Sequence, residues 1–157
     1  MDELLEMLVR PNERAQNRAN AILDLYKNAL EADVCYLMDY EGKTIASSNR
    51  DAPDSFVGKN FAFRPYFQQA FHSAPATYLA LGITSDKRGV YYSYPIFEEG
   101  EDLPIGLTVI KASIEQIEKA LIKKMSREEA ALNFSAAKTT YERTLVGQFG
   151  AKSRKRS

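Results

Sequence analysis

A single arginine, Arg64, lies in a stretch of the sequence that is rich in aromatic residues. Its neighbours include Phe61, Phe63, Tyr66 and Phe67. The planar guanidinium can bind a carboxylate through two parallel hydrogen bonds, a geometry that the ammonium of lysine cannot match. The segment therefore indicates a small anion-binding pocket with aromatic walls. Residue types alone leave two other roles open for the arginine, an ion pair with an internal Asp or Glu and hydrogen bonds to backbone carbonyls.

Other groups that could do chemistry are sparse or scattered along the chain. His72 is the single histidine, and no histidine, cysteine or carboxylate residues recur at the spacing of metal ligands. The glycines form neither a phosphate-binding loop nor a dinucleotide fingerprint. We therefore expect no catalytic residue, no metal and no cofactor, and we expect that the protein is not an enzyme.

The composition of the 157-residue chain narrows the class of protein further. There are 21 basic and 21 acidic side chains, so no net charge favours nucleic acid or an anionic membrane surface. An apolar content of 45% is enough to fill the core of one domain, and Cys35 is expected to be a buried thiol there. No apolar run reaches the roughly 18 residues that span a bilayer. The N-terminus shows no signal-peptide pattern.

Hydrophobic periodicity predicts the elements that must position these residues. Residues 2–9 and 13–30 have helical spacing and are separated by Pro11. The apolar stripe of the second helix would pack on a sheet of its own domain or on a second copy of the chain. A short helix is expected after Pro65 and another after Ser113. Five strands are predicted, at residues 33–39, 44–48, 77–83, 90–96 and 104–110.

The order of these elements predicts an α+β fold. It consists of an antiparallel sheet of five strands flanked by helices, with a long N-terminal helix. We expect an N-terminal helical segment at 1–31, a domain at 32–124, and a C-terminal tail at 125–157. Modest apolar content and a basic end leave two states open for the tail, helical or disordered.

Residues 46–96 go beyond a generic α+β pattern. The segments ASSN, DSFVGKNFAFRPYFQQAF and YLALGITSDKRGVYYSYPI resemble the extracytoplasmic sensor domain of DctB-type histidine kinases. That family senses four-carbon dicarboxylates such as succinate, and its sensor domain is of the PAS-like Cache (PDC) class. The likeness extends more loosely over about 13–122, with FRPYF and LGITS as its most specific parts.

The resemblance implies a set of ligand contacts. They comprise one arginine, one lysine at the end of the last strand, three aromatic wall residues and three donors from a loop, namely Arg64, Lys111, Phe61, Tyr78, Tyr92, Gly82, Thr84 and Ser85. Arg64 would bind one ligand carboxylate and Lys111 would help to neutralise the ligand. Phe61 stands where close relatives are expected to carry tyrosine. Residue types alone leave Lys111 open as a solvated strand end, and Thr84 and Ser85 as ordinary turn residues.

The function that the resemblance implies is that of a ligand-binding sensor domain in two-component signal transduction. The ligand would be a four-carbon dicarboxylate, namely succinate, malate or fumarate. As a histidine kinase fragment the domain would be periplasmic and could form a homodimer through its N-terminal helix; a stand-alone protein without a signal would not lie outside the cytoplasm. Two alternatives stay open, a ligand-free dimerisation module and a sensor for another small ligand such as an amino acid.

Overall fold

The computed structural model describes residues 2–72, 75–81, 88–122 and 134–150. The first elements are α1 (Asp2–Val9), α2 (Glu13–Ala29), β1 (Val34–Asp39), β2 (Thr44–Ser47) and α3 (Pro65–Ala70). They are followed by β3 (Ala76–Leu81), β4 (Arg88–Ile96), β5 (Gly106–Ser113), α4 (Ile114–Ile122) and α5 (Phe134–Leu145), which continues into a π-helical turn at Val146–Gly150. Within these described ranges, no helix has the length and apolar character needed to cross a bilayer.

The five strands form one antiparallel sheet in the order β2-β1-β5-β4-β3. Each of the pairs β1/β2 and β3/β4 joins strands that are consecutive in the sequence, whereas β5 inserts between β1 and β4. The predicted α+β fold with a five-stranded antiparallel sheet is confirmed. Its central strand is the last in the sequence, so the two pairs become one sheet only when β5 is in place.

The central strand β5 extends further than the sequence predicts. It is predicted to end at Lys111, but the strand runs on to Ser113, and α4 follows directly. Lys111 is paired on both sides, with Val34 of β1 and with Tyr91 of β4. Beyond the lysine, β4 alone continues the pairing, with Val90 opposite Ala112 and Gly89 opposite Ser113. The lysine is therefore inside the sheet and not at a solvated strand end.

Side chains alternate between the two faces of the sheet, and each face has its own apolar cluster. The helix face lies under α1, α2, α4 and α5, and its buried residues include Leu4, Ala19, Leu23, Cys35, Leu37, Tyr92, Tyr94, Ile110, Ile117, Tyr141 and Phe149. The opposite face is called the site face, and its cluster consists of Val34, Tyr36, Met38, Phe56, Phe61, Tyr66, Phe67, Ala70, Tyr91, Leu107 and Val109. The predicted burial of Cys35 is confirmed.

Both terminal segments contribute to the helix face. The buried residues of α2 are Ala15, Ala19 and Leu23, so its apolar stripe packs on the chain's own sheet. On α5, the hydroxyl of Tyr141 donates to the carbonyl of Leu30 at 3.0 Å, and in the turn that follows, Phe149 stacks on Tyr94 at 5.2 Å. Residues 134–150 are thus helical and packed against the sheet. The predicted start of the tail and its basic end lie outside the described residues.

Candidate anion-binding site

Arg64 immediately precedes α3, and the local sequence determines how the chain turns there. Its backbone is extended, with φ −71° and ψ 138°, and Pro65 follows at the start of the helix. A residue before proline is held out of the helical region, while the fixed φ of proline suits the first turn. The arginine is only 8% exposed. The turn therefore places a buried guanidinium beside the site face.

Two aromatic rings contact the guanidinium of Arg64. Its Cζ atom lies 5.3 Å from the ring centroid of Phe63 and 5.8 Å from that of Tyr91. Both distances fall in the range of cation–π attraction. Phe63 is 55% exposed, whereas Tyr91 is buried in the sheet. The arginine thus contacts one ring that faces solvent and one that belongs to the core.

Lys111 is the second cation on this face, and its side chain is 0% exposed. Its Nζ atom lies 5.6 Å from the ring centroid of Phe56, 5.8 Å from that of Tyr91, and 3.9 Å from Oδ2 of Asp33. Gly89 leaves room for the lysine, because a β-carbon there would lie 3.0 Å from Lys111 Cε. Burial of an ammonium carries a large desolvation cost. An anion bound beside it would therefore be strongly stabilised.

The ring of Tyr91 lies within reach of both charges. Arg64 Cζ and Lys111 Nζ are each 5.8 Å from its centroid. The two cations thus converge on one face of the sheet although they are far apart in the sequence. The shared ring therefore brings both cations to the site face.

A pair of buried tyrosines lies next to Tyr91. The Tyr66 ring stacks on the Tyr91 ring at 5.2 Å with an interplanar angle of 8°, and its hydroxyl shares a 2.8 Å hydrogen bond with the hydroxyl of Tyr36. Burial raises the pKa of both Tyr36 and Tyr66 above the usual range. Both phenols therefore stay neutral at physiological pH. Ser93 Oγ donates to the Tyr66 carbonyl at 3.1 Å, which ties α3 to β4.

Apart from Tyr92, the sequence-predicted site residues fall into three groups. Arg64, Lys111 and Phe61 come together around the site face, where the ring of Phe61 lies 5.5 Å from that of Phe56. Tyr78 lies on β3, where its backbone pairs with Tyr91. The loop residues Gly82, Thr84 and Ser85 lie outside the described residues. Their contribution of ligand donors stays a prediction.

The assignment of Tyr92 to the pocket is corrected to Tyr91. Tyr92 belongs to the helix face, where its ring lies 5.9 Å from that of Tyr141. Successive residues of a strand point to opposite faces, so a shift of one residue exchanges the site for the core. Because residues 91 and 92 are both tyrosines, the polar–apolar alternation of the strand could not show which of them faces the site. The pairing of Lys111 with Tyr91 in adjacent strands places Tyr91 on the same face of the sheet as the lysine.

The sequence prediction also missed Tyr36 and Phe56 as parts of this environment. Tyr36 lies on β1, which is buried on both faces and so carries no polar–apolar alternation. Phe56 lies in the loop after β2, far in the sequence from the lysine that it contacts. No local pattern connects either residue to the cations. Because β1 is buried on both faces, as is typical of a central strand, its sequence does not show on which face Tyr36 lies.

Comparisons with known proteins relate the sequence and the fold of this chain to those of sensor proteins. No family model matches the chain. The "C4-dicarboxylate transport sensor protein DctB" of Pseudomonas aeruginosa is 41% identical over 104 residues, which is 66% of this chain and 17% of that protein. The solved DctB sensor domain of the V. cholerae histidine kinase superposes with a TM-score of 0.68 at 39% identity, covering 74% of this chain and 45% of that chain.

A more distant likeness concerns the fold alone. The ligand-binding domain of the Campylobacter jejuni chemoreceptor Tlp3, solved with 4-methylisoleucine, has a TM-score of 0.55 at 17% identity; the match covers 76% of this chain and 50% of that chain.

The chain spans less than a fifth of the Pseudomonas aeruginosa protein and less than half of the V. cholerae chain. Within that span, sequence and fold agree: the chain is homologous to the DctB C4-dicarboxylate sensor proteins, and its fold is that of a DctB-type sensor domain of the PAS-like Cache (PDC) class.

Proposed function

We propose that this sensor domain binds a small dicarboxylate, of the four-carbon size of succinate, malate or fumarate, between Arg64 and Lys111. The observation that carries the proposal is the convergence of two buried cations on the ring of Tyr91. The domain would recognise the ligand for a two-component receptor and would itself catalyse no reaction. In such a receptor it would lie outside the cytoplasm.

The chemistry of the two cations suits a ligand with two negative charges. The fork of Arg64 can hold one carboxylate through two hydrogen bonds, and the ammonium of Lys111 can neutralise the other as a point charge. Aromatic rings around both groups lower the local dielectric and strengthen each attraction. An amino acid would in addition need an anion for its ammonium group. The carboxylate of Asp33 is partly exposed and lies 3.9 Å from Lys111 Nζ, so it neutralises the lysine only in part and leaves it able to attract a ligand carboxylate.

Thermal unfolding in the presence of candidate ligands tests this function. At about a hundredfold excess over its dissociation constant, a ligand stabilises the folded state by about 2.7 kcal/mol, which raises the Tm of a domain of this size by several degrees. We expect this shift with succinate, malate or fumarate, and none with acetate. A shift with amino acids alone would favour an amino-acid sensor. No shift with any of these compounds would favour a ligand-free interaction module.

We also propose that the domain forms a homodimer through the outward face of α2. The buried stripe of that helix is used by the chain's own sheet, so pairing requires the opposite face, which exposes Leu25. A shallow surface cavity of about 440 Å³ on the same helix is lined by Glu13, Arg14, Asn17, Arg18 and Ala21. Mixed charges on one face suit a two-fold symmetric contact, in which the same patch meets itself.

Substitution on the exposed side of α2 tests the dimer. We expect the wild type to sediment as a dimer and Leu25→Asp to sediment as a monomer, because a charge would be buried at the contact. Leu103→Asp is the matched control, since that leucine is exposed in the connection before β5 and does not belong to α2. A wild type that stays monomeric at high concentration would rule out this contact.

A further inference from the structure

The loop between β2 and α3 reaches from the second helix to the anion site. At its start, the Arg50 guanidinium donates two hydrogen bonds to the carboxylate of Asp24 on α2, at 2.9 and 2.8 Å. Further along, Phe56 lies against the ammonium of Lys111 at 5.6 Å. Residues 48–56 therefore contact α2 at one end and the buried lysine at the other.

Internal hydrogen bonds make this loop a single unit. The Oδ1 atom of Asn49 accepts from Ser47 Oγ at 2.6 Å and from the backbone N–H of Phe56 at 3.1 Å. The Nδ2 atom of Asn49 donates to the carbonyl of Asp54, and Arg50 Nη1 donates to the carbonyl of Ser47, both at 3.3 Å. Because Asn49 binds the backbone of Phe56 and precedes Arg50, a displacement at one end of the loop is passed to the other.

We propose that Arg50 and Asp24 are a positioning pair for the anion site. By fixing the loop to α2, they hold the ring of Phe56 against Lys111, so that occupancy of the site and the position of α2 are linked. The inference rests on the proposed dicarboxylate function, because the ligand acts through Lys111. A bound carboxylate attracts the ammonium and changes its contact with the ring. Linkage of this kind is reciprocal, so loosening the loop from α2 must also change ligand affinity.

The ion pair itself can be removed without loss of the fold. Both side chains are partly exposed, and ion pairs of this kind contribute little to global stability. The hydrogen bond from Arg50 lowers the pKa of the Asp24 carboxyl, so the carboxylate is charged throughout the neutral range. Glu6 of α1 offers a matched control, because its carboxylate pairs with Arg18 of α2 at 2.7 Å with similar exposure, and replacing it changes no residue of α2.

The test compares Arg50→Ala with Glu6→Ala in succinate titration calorimetry and in amide hydrogen exchange. Arg50→Ala is expected to weaken succinate binding about tenfold, a coupling typical of residues in one network. It should also remove the ligand-dependent protection of α2 and, without ligand, speed exchange at the Phe56 amide. Glu6→Ala should behave as the wild type in all three measurements, and Arg50→Lys should restore part of the affinity.

The possible outcomes separate this inference from the function on which it rests. If Arg50→Ala binds succinate as tightly as the wild type and keeps the ligand-dependent protection of α2, the positioning role is overturned and the proposed function stands. Equal effects of Arg50→Ala and Glu6→Ala would also overturn it, because the cause would then be a general loosening of α2. A wild type that binds no dicarboxylate would overturn the proposed function and this linkage together.

Discussion

The variant Arg64→Ala is expected to bind succinate, malate or fumarate at least about 100-fold more weakly than the wild type, because one ligand carboxylate would be left buried without its partner. The arginine is almost fully buried and contacts the ring of Tyr91, so solvent cannot replace it. Titration calorimetry measures the loss of affinity. The thermal shift caused by the dicarboxylate should disappear at the same time.

Arg64→Lys is the matched control for this effect. It keeps the positive charge but lacks the planar fork, so it is expected to recover only part of the affinity. Unfolding of the ligand-free proteins shows whether the arginine has a structural role instead. If Arg64→Ala unfolds many degrees earlier than the wild type and no acid stabilises the wild type, the arginine holds the fold together and binds no ligand.

The second large effect is expected for Lys111→Met, which should abolish the dicarboxylate shift without lowering the Tm of the ligand-free protein. A buried ammonium is costly to desolvate, and the carboxylate of Asp33 beside it is partly exposed, so water can solvate that carboxylate once the lysine is replaced. Methionine is flexible enough to fill the space that Gly89 leaves for the lysine stem. The ligand, in contrast, loses one of its two cations.

Thermal unfolding with and without succinate separates the contribution of Lys111 to ligand binding from its contribution to the stability of the fold. Lys43→Met is the control, because Lys43 is exposed in the β1–β2 connection and should change neither value. A clear decrease in the ligand-free Tm of Lys111→Met would mean that the lysine stabilises the sheet, for example through Asp33. An undiminished succinate shift would remove Lys111 from the proposed site.

Elements that depend on contiguous residues were predicted well. The break at residues 10–12, the start of α3 at Pro65 and the paired β1 and β2 follow from proline chemistry, helical spacing and turn residues that are adjacent in the sequence. The candidate arginine was found in the same way, because its aromatic neighbours surround it within one short segment. These signals are local, so they do not need the tertiary structure.

The helical stripe of α2 illustrates where the local signal ends. Its spacing predicts that one side packs on an apolar surface, but it does not distinguish the chain's own sheet from a second copy. The structure assigns the stripe to the chain's own sheet. For the same reason, the composition of residues 134–150 left two states open. The helical structure of these residues depends on contacts such as the hydrogen bond between Tyr141 and Leu30, which are 111 residues apart in the sequence.

The sequence by itself therefore determined the fold class and pointed to Arg64 through short-range patterns, and the family resemblance pointed to Lys111. Only the tertiary structure decided which of two adjacent tyrosines belongs to the site and that Lys111 is fully buried. The physical reason is the register of the sheet. The face on which a strand residue lies depends on its partners in neighbouring strands, and β5 brings Val34, Lys111 and Tyr91 side by side from distant parts of the chain.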